Sequence, residues 1–551
     1  MKNCITFFAL LLLTIASQWP RTSYAQESFI SPFPSVPGTY SSAMSADLDG
    51  NGSKEVLLGT EGMIVGIEAN GQPKAGFPIN LAALLGPQAA ILNNKIAIAD
   101  LNGDQQKEII AVIYGVCAPT TPPCPKKVHA FTSNGTLYSG WPANGIVPTA
   151  TEEITDKPVV ARMGGQNWVI IPLGDSLSLT RKIKAINGQG QVVVNMNIDQ
   201  YTLGESPLVF LSVGDVDNDG YDEVTAQTND GLYLINLLTA QIRPGFPVSG
   251  IGTNNSWPWL PPSMADLDGD GHRDIVAIDT TGVWAPVSTS IRVFNRFGNS
   301  LPGWPLNLPN VAPHGDASLL TDVTGDGRAD VVFVGFDNVS SSRKIWAFEG
   351  NGQLIAGWPY TAPQNLLNSF TALDLNNDNA SEIFAPVGYS SSLSPSDYFI
   401  RLNPNGTLHS QVALSQFAIG IPLIFNISPA VTFEDLLNDG DAEVFFAMKV
   451  GGLSLLAPGL PEPLDTLVSL DTYGSAPSSA SAQRLKWAFV DADVRNTRAL
   501  APAAVTPTPT ATPTATATAI STRTPRPTPT KRATPTLSPE HSRPPLSPVR
   551  P

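Results

Sequence analysis

Asp266-Leu-Asp268-Gly-Asp270-Gly271-His-Arg-Asp274 places acidic side chains at its first, third, fifth and ninth positions, with glycines between them. Four carboxylates gathered by one tight loop repel one another strongly, so the loop needs a cation to hold its shape. An all-oxygen ligand set on a flexible loop suits Ca²⁺. Zn²⁺ prefers His and Cys, and Mg²⁺ usually keeps several waters. The spacing begins like an EF-hand loop, but the acid that closes it comes at position nine instead of twelve. Ile275-Val-Ala-Ile278, a strand-like run, follows where an EF-hand would have a helix.

The pattern recurs. Asp215, Asp217, Asp219 and Glu223 form a second complete copy. Asp47, Asp49, Asn51 and Glu55 make a copy with one amide, as do Asp100, Asn102, Asp104 and Glu108, and Asp374, Asn376, Asp378 and Glu382. Asp322, Thr324, Asp326 and Asp330 carry a hydroxyl at the third position. A seventh stretch, Asp435 to Glu443, has Leu437 there, which offers no side-chain oxygen. One such loop is weak evidence of a metal site; a nine-residue pattern repeated in register is strong evidence.

The chain has 551 residues and a formal net charge of −15. These loops account for about half of the 47 Asp and Glu residues, so the acidity is largely ligand inventory. Nucleic-acid binding calls for basic surface and is not expected. Of the three cysteines, Cys4 lies in the leader, while Cys117 and Cys124 flank a short Pro-rich stretch. In an exported chain that pair is expected to form a disulfide; two free thiols in a surface loop are the alternative.

Residues 1–25 read as a signal peptide. Lys2 is followed by an apolar core from Phe7 to Ile15 and small residues before Gln26. That core is too short to span a bilayer, and no transmembrane segment is expected. From 26 to 460 the chain repeats, with acidic loops starting at 47, 100, 215, 266, 322, 374 and 435. The interval from 100 to 215 is double the others. Lys157-Pro-Val-Val-Ala-Arg-Met-Gly-Gly-Gln-Asn-Trp-Val-Ile-Ile fills it with a repeat that has lost its acids.

Each repeat reads as four strands: small residues before the loop (Lys95 to Ala99), an apolar run after it (Val331 to Val334), an aromatic and branched run (Ile345 to Phe348), and a fourth strand beyond an Asn-Gly turn. Asn134-Gly135, Asn351-Gly352 and their counterparts suit a two-residue hairpin turn. The fourth strand runs into a Gly-Phe/Trp-Pro tag: Gly76-Phe77-Pro78, Gly140-Trp141-Pro142, Gly245-Phe246-Pro247, Gly303-Trp304-Pro305 and Gly357-Trp358-Pro359. These tags are expected to be packing residues.

Four strands per roughly 50-residue unit predict an all-β fold, a β-propeller of four-stranded antiparallel blades, with eight blades favoured over seven. Phe33-Pro34-Ser-Val36 would complete the last blade and close the ring. Residues 461–501 form a poorly defined extension, with a possible strand at Leu485 to Val490. Residues 502–551, mostly Thr, Pro and Ala, read as a disordered tail.

The acidic loops, the period and the Gly-Trp-Pro tags together resemble the FG-GAP/VCBS repeat family, which includes the integrin α-subunit propeller. The resemblance covers about residues 30 to 460. It implies structural Ca²⁺ in the loop joining strands one and two of a blade, held by the residues named above at positions one, three, five and nine. A backbone carbonyl at position seven, from Ser53, Tyr221 or His272, would complete the set. The Thr324 and Asn376 loops should bind more weakly, and the Leu437 loop departs from the pattern. Metal binding would stabilise the fold by mass action.

Alternating strand direction puts the metal loops and the Asn-Gly turns on one face. The longer connections share the other, where binding usually sits. They run from Tyr114 to Lys126, Gly250 to Pro262, Asp279 to Ser290, Gly335 to Arg343 and Val387 to Asp397. Trp257, Trp259 and Trp284 in them could meet a partner or cap blade ends. The expected role is a secreted or cell-surface binding and adhesion module for protein or polysaccharide. The alternatives are an extracellular polysaccharide-active enzyme, since some rhamnogalacturonan lyases resemble this architecture, or a structural matrix component. No Gly-x-Ser-x-Gly or His-Glu-x-x-His motif is present, and His129, His272, His314 and His409 form no sequence cluster.

Overall fold

The computed structural model of the protein describes residues 44–472 apart from short internal stretches, the longest being 116–124, 252–259, 388–397, 414–423, 435–441 and 452–464. The expected leader, the ring-closing Phe33-Pro34 segment, the Cys117–Cys124 pair, Trp257, Trp259, Trp284, the Leu437 loop, the Leu485 to Val490 strand and the tail all lie outside the described residues.

The described residues form eight antiparallel sheets in chain order, and five of them contain a simple four-strand or longer path with neighbours in sequence order. Blade 1 spans 44–80, blade 2 spans 90–131, blade 3 spans 152–200 and blade 4 spans 210–249. Blades 5 to 8 span 263–308, 311–361, 371–413 and 424–472. The fold is a β-propeller. The first strands of consecutive blades lie beside one another from blade 2 through blade 8, as expected for the innermost position.

Second strands such as Glu55–Gly59 and Glu223–Gln227 are buried at every residue. A blade is covered on both faces by its neighbours, so its central strands are buried along their whole length instead of alternating between core and solvent. The hydrophobic clusters accordingly lie between blades. Val224, Ala226 and Tyr233 of blade 4 pack with Ile170, Ile183 and Val194 of blade 3, and Ile275 and Ala277 of blade 5 pack with Leu232 and Leu234 of blade 4.

Three details differ from the sequence reading. The Asn-Gly turns are three-residue loops. In blade 6 the Glu349 N–H donates to Gln353 O at 2.8 Å, the Gly352 N–H donates to Glu349 O at 2.7 Å, and only Gly352 is left-handed, at φ 82°. This is a type I turn closed by one left-handed glycine, which fits the strand twist as well as a two-residue turn does. The Gly-Phe/Trp-Pro tag interrupts the fourth strand instead of ending it. In blade 5, Ser300 bridges Phe294 before the tag, and Leu306–Leu308 pairs with Thr289 to Ile291 after it. Finally, Asp465–Thr472 pairs with Ala442–Lys449, so the eighth sheet extends past residue 460.

The tags are packing elements. Trp141, Trp304 and Trp358 are buried, and the tag glycines Gly76, Gly245, Gly303 and Gly357 abut the turn of the next blade. The Trp304 and Trp358 indoles donate to Gly350 O and Pro404 O, both at 2.8 Å, across the blade boundary. In blade 3, where the acids are missing, Gly164 and Gly165 at φ 58° and 89° make a bare two-residue hairpin turn between Met163 and Gln166.

Candidate metal loops and the face opposite

In each described acidic loop the first carboxylate organises the backbone. Asp266 accepts from the Gly269 N–H at 2.7 Å and the Gly271 N–H at 3.0 Å. Asp322 accepts from Gly325 at 2.6 Å and Gly327 at 2.8 Å, and Asp47 from Gly50 at 2.8 Å and Gly52 at 3.0 Å. Asp100, Asp215 and Asp374 do the same through Gln105 at 2.9 Å, Gly220 at 3.0 Å and Asn379 at 3.0 Å. To aim these N–H groups inward, the fourth and sixth residues turn left-handed, as at Gly269 and Gly271, φ 80° and 84°. That conformation explains the recurring glycines; Gln105 and Asn379 adopt it without one.

The third side chain accepts from the fifth N–H, as Asp268 does from Asp270 at 3.0 Å and Asn376 from Asp378 at 3.0 Å. The fifth accepts from the seventh: Asn51 from Ser53 at 2.7 Å, Asp104 from Gln106, Asp219 from Tyr221, and Asp270 from His272, each of the last three at 2.8 Å. Asp326 and Asp378 behave alike, accepting from Arg328 and Ala380 at 2.9 Å.

The ninth residue opens the second strand and is buried: Glu55, Glu108, Glu223, Asp274, Asp330 and Glu382 are all at most 2% exposed. Five of these accept from the N–H of the loop's second residue, as Asp274 does from Leu267 at 3.0 Å. Burial pushes Glu108, Glu223 and Asp330 up to about 7 and Asp274 up to about 8. Buried carboxylates this hard to ionise favour a neighbouring positive charge.

Positions one, three and nine converge in three loops. Ligand oxygens of Asp47, Asp49 and Glu55, of Asp215, Asp217 and Glu223, and of Asp266, Asp268 and Asp274 lie within 4.8 Å of one another. The donor set is all oxygen, and Asp217 Oδ1 is buried without a hydrogen-bond partner. Both observations fit a hard cation such as Ca²⁺. Where no side-chain cation already stands between them, these residues would hold it, and its charge would offset theirs.

Two features were not anticipated. First, neighbouring loops are tied together through their eighth residue. The Lys107 N–H donates to Leu48 O at 2.8 Å, Asp222 to Arg162 O at 2.8 Å, Ala329 to Asp266 O at 3.1 Å and Ser381 to Asp322 O at 2.7 Å. The Arg273 side chain donates to Asp215 O, and Asn167 Nδ2 donates to Asp100 O at 2.6 Å. A belt of hydrogen bonds therefore links blades 1 to 7. Second, bases from within the blade reach the acids. Lys74 Nζ lies 2.8 Å from Asp49 and 2.9 Å from Glu55, Arg243 lies 2.5 Å from Asp217 and 2.8 Å from Glu223, and Arg401 lies 2.7 Å from Glu382.

On the opposite face, the described hairpins joining second and third strands include a repeated frame. Asp175-Ser-Leu177-Ser-Leu-Thr180-Arg181-Lys182 in blade 3 matches Asp337-Asn-Val339-Ser-Ser-Ser342-Arg343-Lys344 in blade 6. In both, the Asp caps the turn by accepting from the N–H two residues on, at 3.1 Å (Leu177) and 2.9 Å (Val339). It also pairs with the Lys, at 2.6 Å and 2.7 Å. Leu179 and Ser341 turn left-handed at 51° and 52°. The Arg anchors the hairpin: fully buried Arg181 pairs with Asp199 at 3.1 Å and with Asp230 of blade 4 at 2.8 Å, and Arg343 donates to Leu366 O at 2.7 Å. Leu177 and Val339 project from the tips, 79% and 77% exposed. Aligning the two strings was the available signal.

The described histidines are dispersed. Burial holds His129 and His314 down at about 4, and His314 Nε2 contacts Leu366 O at 3.1 Å. His272 sits in an acidic loop against Asn218. Among the described residues no helix is long and apolar enough to cross a membrane.

A family model described as FG-GAP-like repeat matches residues 322–385, which run from one acidic loop through the next. No curated protein matches the chain in sequence. Among solved structures, the chain is similar to rhamnogalacturonan lyase YesW at 15% identity, covering 81% of this chain and 75% of that one, with a TM-score of 0.45. It is similar to the Dos1 propeller at 10% identity, covering 82% and 97%, with a TM-score of 0.42. It is also similar to the V. cholerae biofilm matrix protein Bap1 at 10% identity, covering 83% and 90%, with a TM-score of 0.34. With its acidic loops set between the first two strands of blades, this chain is a β-propeller in which residues 322–385 match the FG-GAP-like repeat.

Proposed function

We propose that the protein is a calcium-stabilised binding propeller that acts outside the cell and engages a protein or polysaccharide through the face opposite its metal loops. The observation that carries this reading is the pair of matched hairpins tipped by Leu177 and Val339. A single exposed aliphatic residue needs no explanation. Here the same eight-residue frame is built twice, each time with a capping Asp, a Lys across its base and an Arg locked into the body, and each time it holds an aliphatic side chain in solvent. A rigid scaffold that presents shaped loops is the usual arrangement for recognition.

The loop belt supports the division of labour. Its carboxylates shape the loops and its backbone carbonyls join the blades, which suits a structural metal. The test is a screen of immobilised glycans and extracellular proteins with the intact chain, repeated with Leu177→Asp and Val339→Asp. The ligand found should bind each variant at least tenfold more weakly while the melting temperature stays within about 1 °C. Full retention of binding by both variants, or turnover of an acidic polysaccharide by the wild-type chain, would overturn the reading.

A further inference from the structure

We propose that the residue two places before the glycine of each Gly-Phe/Trp-Pro tag sets its blade's need for a divalent cation. On this view Lys74 supplies the Asp47–Glu55 loop with a charge from within, Arg243 does so in part for the Asp215–Glu223 loop, and Leu301 leaves the Asp266–Asp274 loop to an external cation. The inference rests on the reading that these loops take calcium, and goes on to say which of them do.

The tag position is the same in each blade, but its side chain differs with what it faces. In blade 1 it is Lys74, against a carboxylate at the loop's third position, with Nζ between Asp49 and Glu55 at 2.8 Å and 2.9 Å. In blade 4 it is Arg243, again against a third-position carboxylate, Asp217. Blade 2 has Tyr138, whose hydroxyl meets the Asn102 amide. Blade 6 has Ile355 beside a loop with Thr324 at the third position. Blade 5 breaks the correspondence: Asp268 is a carboxylate, yet the tag residue is Leu301, buried and aliphatic.

The consequence is a difference in charge. The Asp266–Asp274 loop carries four carboxylates, and the ion pair found there among the described residues is Arg296 with Asp270 at 3.3 Å, where Asp270 is 45% exposed. Asp266, Asp268 and Asp274 still converge within 4.8 Å. In blade 1 the ammonium lies between the third and ninth carboxylates, two of the three groups that would grip a metal, so an entering cation must displace it or meet its repulsion. In blade 4 the guanidinium takes Asp217 Oδ2 and Glu223 Oε1 but leaves Asp217 Oδ1 unpartnered. That loop therefore keeps a weakened cation site where blade 1 keeps none.

The test uses the full chain, with calcium titrated by calorimetry and thermal melts run with calcium and with chelator, for wild type, Lys74→Met and Leu301→Lys. Lys74→Met should bind one more calcium ion per chain and gain a larger calcium-dependent rise in melting temperature. Leu301→Lys should bind one fewer. Should the lysine disturb that buried position, the Lys74→Met arm decides alone. Equal or lower calcium stoichiometry in Lys74→Met would overturn the proposal and make the lysine an orienting partner of the ligands. Absence of calcium binding in wild type and Lys74→Met alike would instead sink the calcium reading on which it stands.

Discussion

Replacing Gly303 with alanine tests whether the Gly-Trp-Pro tags hold blades together. Gly303 has φ 89°, and a Cβ built on it would stand 1.8 Å from Asn351 O in the next blade, a separation real Cβ atoms do not tolerate below 3.0 Å. The blades would have to part by about 1 Å, against an interior that is close-packed. That movement pulls Trp304 Nε1 from Gly350 O, now at 2.8 Å, and the indole is only 7% exposed. The left-handed backbone costs an alanine about 1–2 kcal/mol. A buried donor without its acceptor costs about 1–3 kcal/mol more. The total is about 2–5 kcal/mol. Gly165→Ala is the internal control, because Gly165 has the same φ of 89° with nothing within 4 Å of its Cβ. It should cost only the backbone share, about 1–2 kcal/mol. Urea unfolding followed by tryptophan fluorescence measures both. Equal losses in the two variants would refute the close-approach argument, and a ligand-binding defect in Gly303→Ala without destabilisation would make the tag a recognition element.

Two further outcomes follow from the charges. Asp266→Ala with Asp268→Ala should lower the melting temperature in calcium and shrink the difference between calcium and chelator, since a site held at a hundred times its dissociation constant contributes about 2.7 kcal/mol; melts of equal calcium dependence would argue against a cation at this loop. The hydrogen bond from Lys344 holds the Asp337 carboxyl below the usual range, with help from Ser340. A depressed folded pKa gives stability that is complete above the unfolded value, about 4, and is lost as pH falls through the folded one. Wild type should therefore exceed Lys344→Met in stability above about pH 4, with the gap closing on acidification; acid titration by circular dichroism would show it, and a gap that widens below pH 4 would contradict the pairing.

Much of the fold was legible because it is periodic. A nine-residue acidic string followed by an apolar run marks a loop and the strand it opens, and the repetition of that unit leaves few architectures. The repeat without acids at Val159 to Ile171 was found by its apolar frame, and the structure puts a Gly-Gly turn where the metal loop would be. The Asn-Gly dipeptides mark where the turns fall but not their length, because Asn-Gly suits both a turn with two left-handed residues and one in which the glycine alone is left-handed, as at Gly352. The break in each fourth strand was not legible, since the tag reads locally as a strand end and only its fit against the next blade's turn bends the chain there.

What the sequence determined alone is the repeat, its strand order and the residues that shape each acidic loop, because these depend on groups within nine positions of one another. What only the tertiary structure decided is how those loops are neutralised and joined. Lys74 is 19 residues from Glu55 and Asn218 is 53 from Gly271, yet they meet at 2.9 Å and 2.7 Å. Local spacing says nothing of such pairs. They form because a blade folds its fourth strand back beside its own first loop, and because the ring sets each loop against its neighbour.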